Sequence, residues 1–509
     1  MMIKVILLVI FFAVMVAVGI YSRKHAMSVD GFVLGGRSVG PWLTAFAYGT
    51  SYFSAVVFVG YAGQFGWKYG LASTWIGIGN AVIGSLMAWV VLGRRTKVMT
   101  QYLNSKTMPD FFGSRYGSKP LKIAASAIVF VFLVPYTASI YNGLSRLFEM
   151  AFHIPYAWCV IGMAVFTGIY VILGGYMATA INDFIQGIIM LAGIIVVIAA
   201  VLNGQGGFLE AVGRMAEIPS DVEITLGQPG AFTSFFGPDP GNLLGVVILT
   251  SLGTWGLPQM IGKFYAIKDE KSINTGTVIS TVFAIVVSGG CYFLGGFARL
   301  FDAPAIYDEA GAVVYDSIIP HMLSALPDIL IGIVVVLVLS ASMSTLASLV
   351  LTSSSTLTLD FLKDNLLKEM SEKRQVRTMQ VLVIFFIAVS VFIALDPPTF
   401  IAQLMGISWG ALAGAFLAPF LYGLYWKGTT RAGVWASFIV GVGITVVNMF
   451  MPFIESSINA GAAAMLAGLI VVPVVSLITP KLSREKTDAI FSCYEEKVTI
   501  TKKRSLEQN

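Results

Sequence analysis

Charged side chains are scarce in this chain. Asp, Glu, Lys and Arg make up 12% of its 509 residues, where a soluble protein carries about 25%. That is too little charge to coat soluble domains. The three or four that the length alone would suggest are excluded. Cysteine is also sparse. Cys159, Cys291 and Cys493 lie far apart, which excludes a disulfide framework. The histidines, His25, His153 and His321, have no metal-ligand spacing. No G-x-x-x-x-G-K-[ST] phosphate loop occurs, so nothing points to ATP-driven pumping. No nucleophile–base pair suggests an enzyme.

What the chain has instead is apolar surface. The AVILMFWYC set makes up 57%, glycine adds 52 residues, and the mean hydropathy is +0.82. A spanning helix needs about 20 mostly apolar residues. That criterion predicts thirteen spans, at 3–21, 41–67, 71–93, 121–149, 156–174, 176–202, 242–262, 273–299, 328–360, 378–395, 398–425, 432–453 and 460–479. The expected class is an all-α polytopic membrane protein. Lys4 and the run after it also read as a signal peptide. Arg23 and Lys24 then follow as a stop-transfer flank, which favours a retained helix.

Lys and Arg bias sets orientation. With the N-terminus outside and the C-terminus inside, 27 of the 32 basic residues fall on the inner side, among them Arg37, Lys263, Lys268 and Lys271. The outer loops and their edges carry acids from Glu210 to Asp328, with Arg214 as their only Lys or Arg. The net charge of +5 thus marks a membrane face rather than a nucleic-acid partner. Arg146 and Arg299 are expected to snorkel near outer helix ends. The acidic 301–327 loop is expected to hold a short helix across the transport path. The tail from 480 is too short for a nucleotide-binding or signalling domain.

Two spans look broken. Span two contains Ala47-Tyr48-Gly49-Thr50-Ser51-Tyr52-Phe53-Ser54, and span seven contains Leu252-Gly253-Thr254-Trp255-Gly256-Leu257-Pro258-Gln259. Unwound backbone is tolerated in a membrane only where it is buried in protein or lines a cavity. The breaks are five spans apart, and five is odd. Spans 2–6 and 7–11 therefore read as two inverted repeats. The units are 1–38 (extra helix and inner loop), 39–202 (first repeat), 203–241 (outer loop), 242–425 (second repeat), 426–479 (two accessory helices) and 480–509 (cytoplasmic tail).

Three groups of residues could carry chemistry. Asp183 in span six reads either as a cation or gating site or as a carboxylate at the inner surface capping its helix. Span nine has a hydroxyl run that includes Ser344, Thr345 and Ser348. Such oxygens can replace the hydration shell of an alkali cation, or they can merely glue helices together. Near the breaks, Tyr52, Phe53, Ser54, Trp255, Pro258 and Gln259, with Tyr136 and Ser139 in span four, are substrate candidates. Packing is the plainer reading of each taken singly.

Together the motifs resemble those of the sodium:solute symporter family, closest to its proline permease branch. Phe32-Val33-Leu34-Gly35-Gly36-Arg37-Ser38-Val39-Gly40-Pro41 resembles the family's F-x-L-G-G-R-S-x-G-P approach to the first core helix. Thr107-Met108-Pro109-Asp110-Phe111, Ser145-Arg146-Leu147-Phe148-Glu149, Gly174-Gly175 through Asp183 and Gln186, and Ala341-Ser342-Met343-Ser344-Thr345-Leu346 resemble further elements in order, over about residues 30–425. The resemblance implies a five-plus-five inverted-repeat core of the leucine-transporter type and sodium-driven alternating access. It implies a sodium site from the carbonyls of Thr50, Phe53 and Ala341 and the hydroxyls of Ser344 and Thr345. A second cation site would use Asp183, Ser344 and Ser348, although Ala347 stands where another hydroxyl often occurs.

The resemblance also bears on the solute. Tyr136 and Pro258 match positions linked with the substrate region of the proline branch. Tyr52 and Thr254 depart from that branch. Val57 and Ile76 stand near a glutamine and a glutamate that sugar transporters use, which argues against sugars. The expected activity is sodium symport of a small amino acid such as proline, or another small carboxylate, across the cell membrane, with sodium as the one ion and no other cofactor. The alternatives are proton coupling through Asp183, a transporter-like sensor and, further off, a channel.

Overall fold

The computed structural model describes residues 2–367 and 369–495. Lys368 and the tail residues Lys497, Lys502, Lys503 and Arg504, counted above as inner charges, lie outside them. Among the described residues the chain is helical, with two isolated β-bridges, Val39 to Ile267 and Tyr307 to Val313. Helices follow from the composition. Lipid offers no partner to a backbone N–H or C=O, so each apolar run must satisfy its own.

Among the described residues, eleven helical runs are long and apolar enough to cross a membrane. We label the helices α1 (Met2–Ser22), α2 (Pro41–Tyr52), α3 (Val56–Tyr102), α4 (Lys119–Phe152), α5 (Tyr156–Gly204), α6 (Pro240–Gly253), α7 (Pro258–Ala266), α8 (Lys271–Gly295), α9 (Tyr315–Ser324), α10 (Asp328–Thr356), α11 (Glu372–Leu395), α12 (Ile401–Tyr425), α13 (Arg431–Phe450) and α14 (Ser457–Ile478). The thirteen predicted spans and the eleven runs differ at two places. α3 has 47 residues and α5 has 49. At 1.5 Å per residue a straight helix of that length reaches about 70 Å, more than twice the hydrocarbon thickness. Both runs bend, at Gly70 (φ 59°, ψ −140°) and at Gly175 (φ 53°, ψ −148°). A side chain there would be strained, and a Cβ on Gly175 would stand 2.9 Å from the Phe32 ring.

α10 and α12 form the centre and are largely enclosed by protein, whereas most of α1 and α11 faces outward. α10 packs on α4 and α5, and α12 on α4, α6, α13 and α14. The acidic 301–327 segment does contain a helix, α9, which lies over Gly63 of α3.

The quoted motifs clasp one end of the bundle. The helix Val29–Leu34 stops on Gly35 in the left-handed region, and Arg37 then donates to the Ser105 carbonyl at 2.5 Å and the Tyr265 carbonyl at 3.4 Å. Thr107 caps the helix Met108–Tyr116 and donates to Asp360 at 2.5 Å. Lys122 bridges Asp110 at 2.8 Å, Asp364 at 2.8 Å and Asp360 at 3.4 Å. At the opposite end, beyond the last turn of α8, Arg299 meets an exposed loop carboxylate. It grips Asp221 with two bonds, at 2.7 and 2.8 Å, and pins the 203–241 loop over Trp67.

The approach of α3 to α8 depends on paired glycines. A Cβ on Gly66 would lie 1.9 Å from the Gly295 carbonyl oxygen, and one on Gly295 would lie 2.2 Å from that of Ala62. Gly66→Val should therefore lower stability by about 2–3 kcal/mol through overpacking. Gly162→Ala, where no atom lies within 4 Å, should melt like the parent protein. Thermal melting in detergent checks both, and equal melting of the two variants would refute the close approach.

Candidate functional site

Both predicted breaks occur. α2 ends at Tyr52, and Phe53 is extended (φ −92°, ψ 122°). Ser54 restarts the helix as a cap. Its Oγ accepts from the Val56 N–H at 3.2 Å, and its carbonyl accepts from Val57 and Phe58 at 3.0 Å each. The Ala55 N–H donates across to Ser342 Oγ at 3.1 Å. The carbonyls of Thr50 and Phe53, released by the break, turn to α10. Thr345 Oγ1 lies 3.0 Å from Thr50 O, 3.1 Å from Phe53 O and 3.1 Å from Ala341 O. Ser344 Oγ donates to Thr50 Oγ1 at 2.7 Å. The five residues expected to hold sodium thus meet at one point.

The geometry there is electron-rich. A hydroxyl carries one proton, so Thr345 donates to one of its three carbonyls at a time. Its other two contacts are oxygen against oxygen. A small cation at the centre would relieve that repulsion.

One helical turn further along α10 lies a second cluster. Asp183 is wholly buried on α5, beside Ser344. Lys263 of α7 approaches its Oδ2 at 3.8 Å. The Lys263 ammonium donates to Ser348 Oγ at 3.0 Å, stands over the Tyr176 ring at 5.2 Å, and through Ser348 meets Ser51 Oγ at 2.9 Å. This corrects two expectations. Asp183 is not a surface cap. Lys263 is not an inner-loop charge, since it is 2% exposed, and it leaves the inner-side count. It stands three residues before the end of α7, where loop charge and buried charge look alike in sequence.

A third cluster lies beyond the first break. The hydroxyls of Tyr52, Tyr61, Tyr136 and Tyr292 are buried and make no well-formed hydrogen bond among the described residues, although Tyr52 stands close to Tyr292 and Ser288, and Tyr136 close to Ser54. They adjoin one another across α2, α3, α4 and α8. Trp409 of α12 meets the rings of Tyr52 and Tyr136 at 5.8 and 5.9 Å, and Ser54 stands beside Tyr136. A buried hydroxyl left without a partner costs about 1–3 kcal/mol, so this cluster calls for polar partners that a ligand or ordered water can supply.

The eight substrate candidates do not form one pocket: the Phe53 carbonyl belongs to the Thr345 contact and Tyr52 to the tyrosine cluster. Ser54 and Tyr136 join the tyrosine cluster. Ser139 Oγ donates to Tyr136 O in its own helix at 2.7 Å. Trp255 Nε1 donates to Ile83 O at 2.9 Å and Thr254 Oγ1 to Gly84 O at 3.0 Å, so both tie the second break to α3. Pro258 and Gln259 line a separate cleft with Lys263, Ser348 and Lys106. Tyr61, Tyr292 and Trp409 escaped the sequence reading because an aromatic in an apolar helix carries no local mark of function.

A family model described as "Sodium:solute symporter family" matches residues 32–441. The chain belongs to the sodium:solute symporter family. It is 30% identical over 500 residues to the sodium/proline symporters of Staphylococcus aureus strains JH9 and NCTC 8325, covering 94% of this chain and 93% of each relative. In fold it matches a sodium-coupled sialic acid symporter in a substrate-bound outward-open state, with a TM-score of 0.76 at 14% identity over 95% of this chain and 99% of that one. A nucleobase-cation-symport-1 transporter, Mhp1, in a closed conformation matches with a TM-score of 0.51 at 14% identity over 90% and 97%. This is a multi-pass membrane transporter of a sodium symport family, not an enzyme.

If the tyrosine hydroxyls serve a ligand rather than the fold, Tyr61→Phe and Tyr292→Phe should stay within about 0.5 kcal/mol of the parent protein in solute-free thermal melts. Trp255→Phe, which gives up its bond to Ile83, should cost about 1 kcal/mol. A large loss in the tyrosine variants would make those hydroxyls structural.

Proposed function

We propose that this chain carries a small organic solute into the cell with sodium, by alternating access. The observation that carries the reading is the convergence of the Thr50, Phe53 and Ala341 carbonyls with the Ser344 and Thr345 hydroxyls, where α10 meets the break after α2. Sodium binds there and joins α10 to the broken helix. Solute then binds among Tyr52, Ser54, Tyr61, Tyr136, Tyr292 and Trp409, and the bundle rocks to release both. Ion and solute favour one conformation by differential affinity, which is the coupling. The cleft that Gln259, Lys263 and Ser348 share with Lys106 gives an exit on the basic side.

The solute we favour is a small amino acid such as proline, or another small carboxylate. Phenol hydroxyls donate well to a carboxylate, and the aromatic walls suit a compact apolar body. The names of the curated relatives favour the same class. Proton coupling through Asp183 is the weaker reading, because its carboxylate faces Lys263 rather than water. The membrane arrangement follows the same logic. α3 and α5 each cross twice about their glycine bends, making thirteen crossings with the N-terminus outside and the C-terminus inside. Spans 2–6 and 7–11 form the inverted repeats. The lipid bilayer is the setting, sodium is the one ion needed, and no nucleic acid or other cofactor takes part.

Two experiments test this. In a thermal-shift screen of the purified protein against amino acids, monocarboxylates and pantothenate, the solute should raise stability in sodium but not in choline at constant pH. A ligand at a hundredfold its Kd adds about 2.7 kcal/mol. Equal shifts in choline would remove sodium from the cycle. With the solute so found, Ser344→Ala and Thr345→Ala should raise the sodium concentration for half-maximal vesicle uptake at least about tenfold, equivalent to about 1.4 kcal/mol. Unchanged sodium dependence at equal expression would sink the site assignment.

A further inference from the structure

We propose that Lys263 is a resident cation, its ammonium filling the place between Asp183, Ser344 and Ser348 that a second ion would otherwise take. The chain then couples its solute to one sodium. The inference rests on the sodium reading above and adds the stoichiometry.

The argument starts from Asp183. A carboxylate wholly buried in a spanning helix needs a positive partner. Its oxygens make no well-formed hydrogen bond among the described residues, and the polar groups nearest them are Ser344 and Lys263. Among the described residues its ion pair is with Lys263, at 3.8 Å. The ammonium is held from three sides, by the Ser348 hydroxyl at 3.0 Å, by the Asp183 carboxylate and by the face of the Tyr176 ring at 5.2 Å. A bare ion at this point would need a fuller shell of oxygens, and Ala347 supplies no side-chain oxygen to it. An ammonium brings its own three donors and needs fewer partners.

Position separates this charge from the carbonyl cage. Ser348 follows Ser344 by four residues, a rise of about 6 Å. None of the three carbonyl contacts of Thr345 involves Lys263, so the cage remains free for an exchangeable ion. The lysine cannot exchange. It is tethered to α7, directly after the second break, and it moves with that helix. A cation that never leaves the protein draws no energy from an ion gradient, although it still neutralises Asp183 throughout the cycle. Removing the tether leaves Asp183 unpaired, and a bath cation must then replace it.

Sodium alone is the probe. Binding of radioactive sodium to the purified full chain, by scintillation proximity, should give one ion per protein with a Hill coefficient of about 1. Lys263→Met should bind two ions, with a Hill coefficient rising towards 2. Lys263→Met combined with Asp183→Asn should return to one. Two ions on the wild-type chain would overturn the inference and leave the sodium reading standing. No ion at all would overturn both. If Lys263→Met binds only one ion, the resident-cation role is also refuted. Should that variant fail to fold, the wild-type count decides by itself.

Discussion

The contact between one threonine hydroxyl and a broken backbone organises this protein. Thr345 reaches the carbonyls of Thr50 and Phe53 at 3.0 and 3.1 Å, and those carbonyls face it only because α2 stops at Tyr52. In a membrane such a stop is tolerated where protein encloses it. The most enclosed helices, α10 and α12, stand around it, and Ser342 takes the Ala55 N–H that the break exposes. In our reading an ion at this contact closes the join, and its release reopens it. The function thus follows from neutral atoms whose helical partners were withheld.

Charge is used differently. Two ion-pair clusters each enclose a buried acid, Asp183 with Lys263 near the middle and Asp360 with Lys122, Asp110 and Asp364 at the basic end, while the buried Arg115 and Asp316 bond to backbone. The second ties the loop helix Met108–Tyr116 to α4 and the end of α10. The first spans α5, α7 and α10, the elements that flank both breaks. Each acid in the two clusters has a basic partner within 4 Å, which offsets the cost of enclosing it in a low-dielectric medium. The positions along the helices are set by that cost as much as by the path of the solute.

Much of this was legible in residue order. The apolar runs placed the helices, and Pro258 with the glycines around Gly49 and Gly253 marked the breaks, because these residues cannot sustain or stabilise a helix. The cage residues were named because they match a contiguous motif on each side. Lys263 was misplaced for a physical reason. Three residues from a helix end, a lysine can face water or fold inward, and only a carboxylate more than 70 positions away in the chain decides. The tyrosine cluster was missed for a related one. Its hydroxyls come from four helices, and each ring alone reads as packing.

The sequence by itself determined the medium, the helices and where they fail. Those properties follow from local composition, since a backbone group in lipid must find its partner within a few residues. Only the tertiary structure decided which side chains share a point. It moved Trp255 from the solute to a structural bond with Ile83, gathered Tyr61, Tyr292 and Trp409 around Tyr52, and set the Lys263 ammonium beside Asp183. Such encounters depend on how helices cross, and crossing is governed by contacts such as Gly66 against Gly295 that join distant parts of the chain. Periodicity along one helix carries no record of them.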